Sequence, residues 1–221
     1  ILLGGLLLYI GCKLNTINIT GSTCYSEKEL KQELLSSKTD NNTILFYLRI
    51  KYGRRQKIPF IEDVTAKLVD NHSVNLHVYE KPVIGCIHYM GSYLYFDKDG
   101  IMVESSRRRL KGVPLISGLT FRSFVLHNKI ETGKKELFPV ILELTRLIQK
   151  FNLNVDCIQF NDDSGILLKS GKNEIFLGKR DTFDEQMAAL KNILPKVSGK
   201  KLYIDMEDFK TGERIIARPV E

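Results

Sequence analysis

The sequence predicts an α+β protein in which two small domains follow a short apolar segment. Its 221 residues allow two modest domains, at roughly 150 residues per domain. The hydrophobic fraction of 43% and the charged fraction of 27% are ordinary for a globular chain. Strand-like runs and amphipathic helical stretches alternate up to Lys81-Pro82, and short β segments dominate after it. We therefore expect the boundary between the domains at that point.

The opening residues 1–12 read ILLGGLLLYIGC and carry no charge before Lys13. A bilayer span needs about 20 apolar residues, so this run is too short by itself. Because the sequence does not begin with Met, we expect residues 1–12 to be the C-terminal part of a truncated transmembrane helix. Tyr9 and Lys13 fit the aromatic and charged belt of a bilayer surface. Two alternatives are a cleaved signal peptide, although no small-x-small cleavage site is present, and a lipobox that ends at Cys12.

The first domain is predicted to run strand, helix, helix, strand, strand. Residues 14–19 alternate apolar and polar side chains, as a half-buried strand does. Ser26 and Glu29 have the capping-box spacing and should start a helix. Asn42 and Thr43 signal a second helix, and residues 61–68 and 74–79 are typical of a hairpin. The apolar faces of the two helices are predicted to be, in order, Leu30, Leu34 and Leu35, then Ile44, Leu45, Leu48 and Tyr52.

The second domain is predicted to be a mixed α/β domain with a multi-stranded sheet flanked by helices. Apolar periodicity favours helices over residues 133–151 and 182–194. Short β runs bounded by turn residues fall at 83–89, 93–96, 101–103, 155–160, 165–168, 174–177 and 202–206. Asp97 to Gly100 is a turn signal that also has the first ligands of a calcium loop, but the remaining ligand positions are missing.

Motifs for catalysis, cofactors and metals are absent from the sequence. The four histidines stand alone, and the cysteines at 12, 24, 86 and 157 form no CxxC pair, so free thiols are expected. No phosphate loop, nucleophile elbow or dinucleotide fingerprint is present. We therefore expect no enzyme activity, no cofactor, no metal and no small-molecule substrate.

The positive charge points to partners with negative charge. The net charge is +7 and the isoelectric point is near 9.1, which suits a polyanion such as a charged cell wall. The basic clusters at 54–57 and 107–111 lack interleaved aromatic residues, so nucleic acid is not expected. Both clusters are also consistent with ordinary solvated loops.

The short strands themselves suggest a binding module. Free sheet edges accept a partner strand by β-augmentation. The best candidate is the run at 201–206, which follows a helix and leads into a polar tail. The alternative is that this strand only closes its own sheet.

Six segments, in order along the chain, resemble motifs of the FtsQ/DivIB family of bacterial division proteins. Residues 17–30 resemble the strand and helix start that open a POTRA domain, whose order is also strand, helix, helix, strand, strand. The other segments are Ile58-Pro-Phe-Ile with residues up to Lys67, Val78-Tyr-Glu-Lys-Pro-Val83, Tyr93-Leu-Tyr-Phe-Asp-Lys-Asp-Gly100, Leu177-Gly-Lys-Arg-Asp181, and Leu202-Tyr-Ile-Asp-Met206. Phe60 replaces the Trp or Tyr of the family pattern, and the closing strand ends Met206-Glu207 where the family has Leu-Arg.

The resemblance implies a domain organisation and a function. It implies part of a single-pass transmembrane helix at 1–12, a βααββ POTRA domain at 14–81, a β domain at 82–212 and a tail at 213–221. The N-terminus would be cytoplasmic, and the bulk of the chain would lie outside the cytoplasm at the division septum. The protein would be a non-enzymatic scaffold that binds FtsB/DivIC and FtsL, links early and late division proteins, and supports septal peptidoglycan synthesis. The POTRA domain is expected to bind other divisome proteins.

The resemblance also implies where the partner binds. In the family the partner pairs with the last strand of the β domain, which here carries Tyr203, Ile204, Asp205 and Met206. Phe209, Thr211 and Gly212 fall where family members place an aromatic residue and a small-residue turn of the same interface. Two other functions stay open: a cell-surface or cell-wall-binding module that uses its basic charge, and a POTRA-type docking or chaperone domain of a secretion or membrane-assembly system.

Overall fold

The structure is a computed structural model that describes residues 11–54, 56–132, 137–161, 165–212 and 215–219. It is a mixed α/β protein. The prediction that the fold includes an N-terminal transmembrane helix is wrong. Among the described residues, no helix is long and apolar enough to cross a membrane. The longest of them has 15 residues and carries Glu143, Arg146 and Lys150, whereas a span takes about 20 apolar residues. Residues 1–10, which make up most of the predicted span, lie outside the described residues.

The chain divides between Lys81 and Pro82 into two compact units. In the first, the N-terminal unit, a three-stranded sheet of order β1-β3-β2 packs against two helices. Its elements are β1 (Thr16–Thr20), α1 (Glu27–Leu34), a 3₁₀ helix (Lys38–Asn41), α2 (Thr43–Tyr52), β2 (Ile61–Asp70) and β3 (Ser73–Glu80).

Local signals set the helix starts and strand pairings of the N-terminal unit. The predicted capping box is present, since Glu29 N donates to Ser26 Oγ at 3.3 Å and Ser26 N donates to the Glu29 carboxylate at 2.7 Å. Asn42 caps α2 by accepting hydrogen bonds from the backbone N–H groups of Ile44 and Leu45. The predicted hairpin is also present as the antiparallel pair β2 and β3, while β1 runs parallel to β3.

The apolar face predicted for the second helix is wrong for three of its four residues. Leu45, Leu48 and Tyr52 are exposed, and the helix instead turns Phe46 into the core. The rotation is fixed by Arg49, whose Nε and a terminal nitrogen donate to the two oxygens of buried Asp40, at 2.7 and 2.9 Å. Leu35 of the first predicted face is exposed as well, because it lies just beyond the end of α1.

The second, C-terminal unit is built on a nine-stranded sheet of order β14-β13-β12-β11-β10-β7-β4-β5-β6. A separate two-stranded sheet pairs β8 with β9. The elements are β4 (Gly85–Tyr89), β5 (Ser92–Phe96), β6 (Met102–Ser106), β7 (Leu115–Ser117), β8 (Phe121–Ser123), β9 (Glu131–Thr132), α3 (Leu137–Phe151), β10 (Cys157–Phe160), β11 (Ile166–Ser170), β12 (Asn173–Gly178), α4 (Asp184–Ile193), a 3₁₀ helix (Leu194–Val197), β13 (Leu202–Asp205) and β14 (Ile216–Pro219).

One continuous core holds the C-terminal unit together. The amphipathic helix predicted over 133–151 is present as α3 from Leu137, and it buries Ile141, Leu144 and Leu147 against the sheet. The helix predicted over 182–194 is α4, which buries Met187 and Leu190 in the same core. This helix connects β12 to β13, which lie side by side and parallel. It therefore covers the end of the sheet where the predicted partner-binding strand lies.

Candidate functional site at the end of the large sheet

The predicted partner-binding strand is the second strand from the end of the nine-stranded sheet. β13 pairs with β12 on one side and with β14 on the other. The antiparallel register with β14 places Tyr203 opposite Arg218 and Asp205 opposite Ile216. β14 lies in the stretch that the sequence analysis assigns to a C-terminal tail. Among the described residues, the outermost strand at this end of the sheet is thus β14 and not β13, and β6 is outermost at the other end.

The backbone hydrogen bonds show which groups face the open side of the sheet. Leu202 N donates to Asn173 Oδ1 at 3.1 Å and Met206 N to Phe176 O at 2.8 Å, so even-numbered residues of β13 face β12. Since backbone direction alternates along a strand, Tyr203 and Asp205 bond to β14. Their partners, Arg218 and Ile216, direct their N–H and C=O groups towards β13. Ala217 lies between them and therefore directs its N–H and C=O groups away from β13.

β14 is held to the sheet mainly by its backbone. All four of its side chains are exposed, and Ile216 keeps 61% of its surface. Ala217 and Pro219 lie opposite Ile204 and Leu202, on the face of the sheet where Ile204 is fully buried. The apolar layer that covers β13 therefore does not extend over β14, and a polypeptide bound there would bury apolar surface as well as pair with the edge.

Tyr203 and Asp205 share the opposite, partly exposed face of β13. Burial raises the pKa of Tyr203, the negative charge of Asp205 raises it further, and Arg218 across the strand pair lowers it. Ile204 and Met206 are buried in the core instead. The predicted site thus contains two residues that a ligand can touch and two that only support the strand.

The segment after β13 is fixed to the start of α4. Phe209 N donates to Met206 O at 3.1 Å, and the Phe209 side chain packs partly against the core. Thr211 Oγ1 donates to the Glu185 carboxylate at 3.2 Å, and Gly212 adopts a φ of 95°, which favours glycine. The hydrogen bonds of Phe209 and Thr211 therefore fix the segment after β13 to the end of the strand and to α4.

Gln186 is a site residue that the sequence analysis missed. Its side chain is fully buried, and its Nε2 donates to Leu177 O at 2.9 Å and to Met206 O. These two carbonyls lie at the ends of β12 and β13, so Gln186 holds both strand ends to α4. No sequence signal indicated this role, because an isolated glutamine in an amphipathic helix is indistinguishable from a surface residue. The residues of β14 were missed too, although Ile215-Ile216-Ala217 is an apolar run.

A second polar cluster lies in the N-terminal unit, where two of the resembling motifs meet. The carboxylate of Glu80, at the end of β3, accepts hydrogen bonds from Ser22 Oγ, Thr23 N, Thr23 Oγ1 and Cys24 N at 2.6 to 2.7 Å. Burial raises the pKa of Glu80, but the hydrogen bonds from Thr23, Cys24 and Ser22 outweigh it and lower the pKa to about 2. All four donors are used within the unit, so this cluster is structural.

Other candidate sites contribute little chemistry. Asp97 is a turn residue, since its Oδ1 accepts hydrogen bonds from Asp99 N and Ile101 N at 2.9 and 3.0 Å. Within the described ranges, no three acidic, histidine or cysteine side chains are grouped so that they could hold a metal ion. None of the four cysteines, all of which lie in the described ranges, forms a disulfide. The end of the large sheet is therefore the feature best suited to binding.

The sequence matches no protein-family model and no curated protein.

Proposed function

We propose that the protein is a non-enzymatic scaffold of the bacterial divisome that binds a partner polypeptide by strand addition at the end of its large sheet. The partners are division proteins of the FtsB/DivIC and FtsL type, bound outside the cytoplasm at the division septum in support of septal peptidoglycan synthesis. The six ordered motifs support the choice of partner. The observation that carries the proposal is the exposed outer edge of β14, which no other described strand covers.

The geometry of β14 favours a short, specific pairing. Its outward-facing donor and acceptor are those of Ala217, and Pro219 has no N–H to offer. Main-chain hydrogen bonds to this edge supply affinity, and alternate side chains supply specificity. Ile216 and Arg218 would contact one face of the incoming strand, beside Asp205 and Tyr203 of β13. In this arrangement Tyr203 and Asp205 would lie near the bound partner, and the buried Ile204 and Met206 would support β13 from the core.

A proline substitution at the outward-facing position tests the proposal directly. Ala217→Pro removes the free donor but keeps the ladder between β13 and β14, because that donor does not face β13. We expect about tenfold weaker binding to a co-purified FtsB/DivIC and FtsL pair. Ala217→Ser is the matched control, since it changes the side chain and keeps the N–H. Ile204→Pro would be uninformative, because Ile204 is fully buried and its N–H faces β12.

Two measurements make the result decisive. Circular dichroism and thermal unfolding must show that Ala217→Pro folds like the unsubstituted chain. If the folded variant binds the partner pair with unchanged affinity, partner addition at β14 is wrong. If only Ala217→Pro loses affinity while Ala217→Ser keeps it, the backbone edge is the recognition element.

A further inference from the structure

Among the described residues of the N-terminal unit, the outer side of α2 is an exposed apolar surface that does not belong to the core of the unit. Leu45, Leu48 and Tyr52 keep 38%, 42% and 71% of their surface. These positions are three and four residues apart, so they lie on one side of the helix, opposite the buried Phe46. An isolated exposed leucine needs no explanation, but three aligned apolar residues on one helix indicate a contact surface.

The charge around this face is positive. α2 contains no acidic residue, and its last turn carries Lys51 beside Arg49, whose own charge is paired with Asp40. Lys51 Nζ lies 5.2 Å from the ring centroid of Tyr52 and the same distance from that of Tyr47, so the ammonium group is held beside the apolar stripe. Two further basic residues near the ends of α2 are exposed. Lys13 pairs through its backbone with Asn42, at the start of α2, in an isolated β-bridge, and Arg54 follows the end of the helix.

We propose that the Leu45, Leu48 and Tyr52 face of α2 docks on a lipid surface that carries anionic headgroups. An interfacial helix combines leucine and aromatic residues on one face with basic residues beside them. The exposed side of α2 carries Leu45, Leu48 and Tyr52, with Lys51 beside Tyr52. Tyrosine and lysine at the edge of the stripe suit the headgroup region, where a polar tip and an apolar body are both satisfied. A protein partner would not require the basic border on both ends of the helix, whereas anionic headgroups are complementary to it.

Tyr79 on β3 offers an internal control. It is 48% exposed, and its neighbours Val78 and Glu80 lie on the inward side of the strand. The inward side also carries the buried Val74 and Leu76. Tyr79 therefore lies on the face of the sheet away from the core. A membrane that touches α2 leaves Tyr79 in water.

Tryptophan fluorescence can test the docking in the full chain, which contains no Trp. Tyr52→Trp and Tyr79→Trp would be mixed with vesicles of phosphatidylcholine and about 30% phosphatidylglycerol whose acyl chains are brominated. We expect a blue shift and quenching at position 52 and neither at position 79. Residues 1–10 are uncharged and could carry the chain to a vesicle. Total binding would therefore not show which part of the chain contacts the lipid, so a fluorescent residue at a defined position is required.

Substitutions in the Tyr52→Trp background identify the cause. Leu45→Glu together with Leu48→Glu should reduce the quenching at least about tenfold, while Leu68→Glu, a comparably exposed leucine on β2, should not. Lys51→Gln should weaken the response about fivefold on anionic vesicles and leave the weak response to pure phosphatidylcholine unchanged. Equal quenching at positions 52 and 79, or none at 52, would overturn the proposal. A blue shift at 52 that appears without lipid and grows with protein concentration would overturn it too, in favour of self-association.

Discussion

At the scale of single residues, buried or half-buried carboxylates determine the local geometry of the N-terminal unit. Glu80 joins the end of β3 to the turn between β1 and α1 through four hydrogen bonds. A carboxylate is required there, because Oε1 accepts three of these bonds and Oε2 accepts the fourth, and a carboxamide nitrogen cannot accept any. Asp40 performs a related task by fixing Arg49 and with it the rotation of α2.

The lowered pKa of Glu80 predicts acid lability of the N-terminal unit. A carboxylate whose pKa is lowered in the folded state contributes stability that is fully present above its unfolded pKa, near 4.5, and is lost as the pH falls towards about 2. We expect Glu80→Gln to cost about 1–2 kcal/mol at pH 7, a value reduced for the partial exposure of the group. The loss should shrink as the pH falls from 4.5 to 2.

Urea unfolding at several pH values checks this prediction. The control is Glu62→Gln, an exposed acidic residue at the start of β2, which should change the unfolding free energy by less than about 0.5 kcal/mol. If Glu80→Gln is equally destabilising at pH 7 and pH 3, the hydrogen-bonded carboxylate is not the source of the effect.

The Asp40 and Arg49 pair makes a second prediction at this scale. Asp40→Ala removes the acceptor of Arg49 Nε and of the backbone N–H of Ser37, although Arg49 still donates to Leu34 O. We expect a loss of about 2–3 kcal/mol, below the range for fully buried pairs because the Arg49 side chain is 25% exposed. Adding Arg49→Leu should restore part of the stability, which a double-mutant cycle measured by thermal unfolding would detect. Strict additivity of the two losses would show that the pair is not coupled.

At the scale of elements, local signals predicted the four α-helices and most of the strands, but they missed β7, β8, β9 and β14. They also failed where a contact outside the element decides. The capping box at Ser26 and the hairpin around Asn71 needed only neighbouring residues. The helix α2 has apolar residues on two sides, so periodicity could not choose the buried face. The contact of Arg49 with Asp40, in the 3₁₀ helix just before α2, decides it. β14 escaped prediction because it has four residues and ends in proline, which lowers strand propensity.

The candidate site was predictable only in part, for the same reason. The strand with Tyr203 and Asp205 has a recognisable alternation, and it was found. Its position within the sheet depends on which other strand pairs with it, and a run as short as β14 carries no signal of its partner. The role of Gln186 depends on two carbonyls that only the fold brings within reach.

Removing β14 tests which strand of the sheet receives the partner. A chain truncated after Gly212 exposes the backbone groups of Tyr203 and Asp205 that now face β14. If the partner adds to β14, truncation should lower its affinity at least about tenfold, because both the edge and the exposed apolar residues are lost. Isothermal titration with the partner pair measures the change, and hydrogen exchange of α4 amides checks that the rest of the unit stays folded. Tighter binding by the truncated chain would mean that the partner replaces β14 and pairs with β13.

At the scale of the whole molecule, the protein has two separate hydrophobic cores and a net charge of +7. The basic residues are spread over the chain, and the exposed Arg107 and Arg108 follow β6, at the opposite end of the nine-stranded sheet from β14. General attraction to anionic polymers and recognition by a sheet edge are therefore physically distinct properties. The first depends on screening by salt, whereas the second depends on main-chain hydrogen bonds and apolar burial.

The salt dependence of binding should consequently separate the proposed scaffold from a cell-wall-binding module. We expect the affinity for the partner pair to change less than about threefold between roughly 0.05 and 0.5 M NaCl, because strand addition uses few charges. Binding of the same chain to purified sacculi should fall more than about tenfold over that range, because it rests on dispersed positive charge. Ala217→Pro provides the matched variant, since it should weaken only the partner interaction. A steep salt dependence of partner binding that Ala217→Pro leaves unchanged would favour the basic surface over the sheet edge as the recognition element.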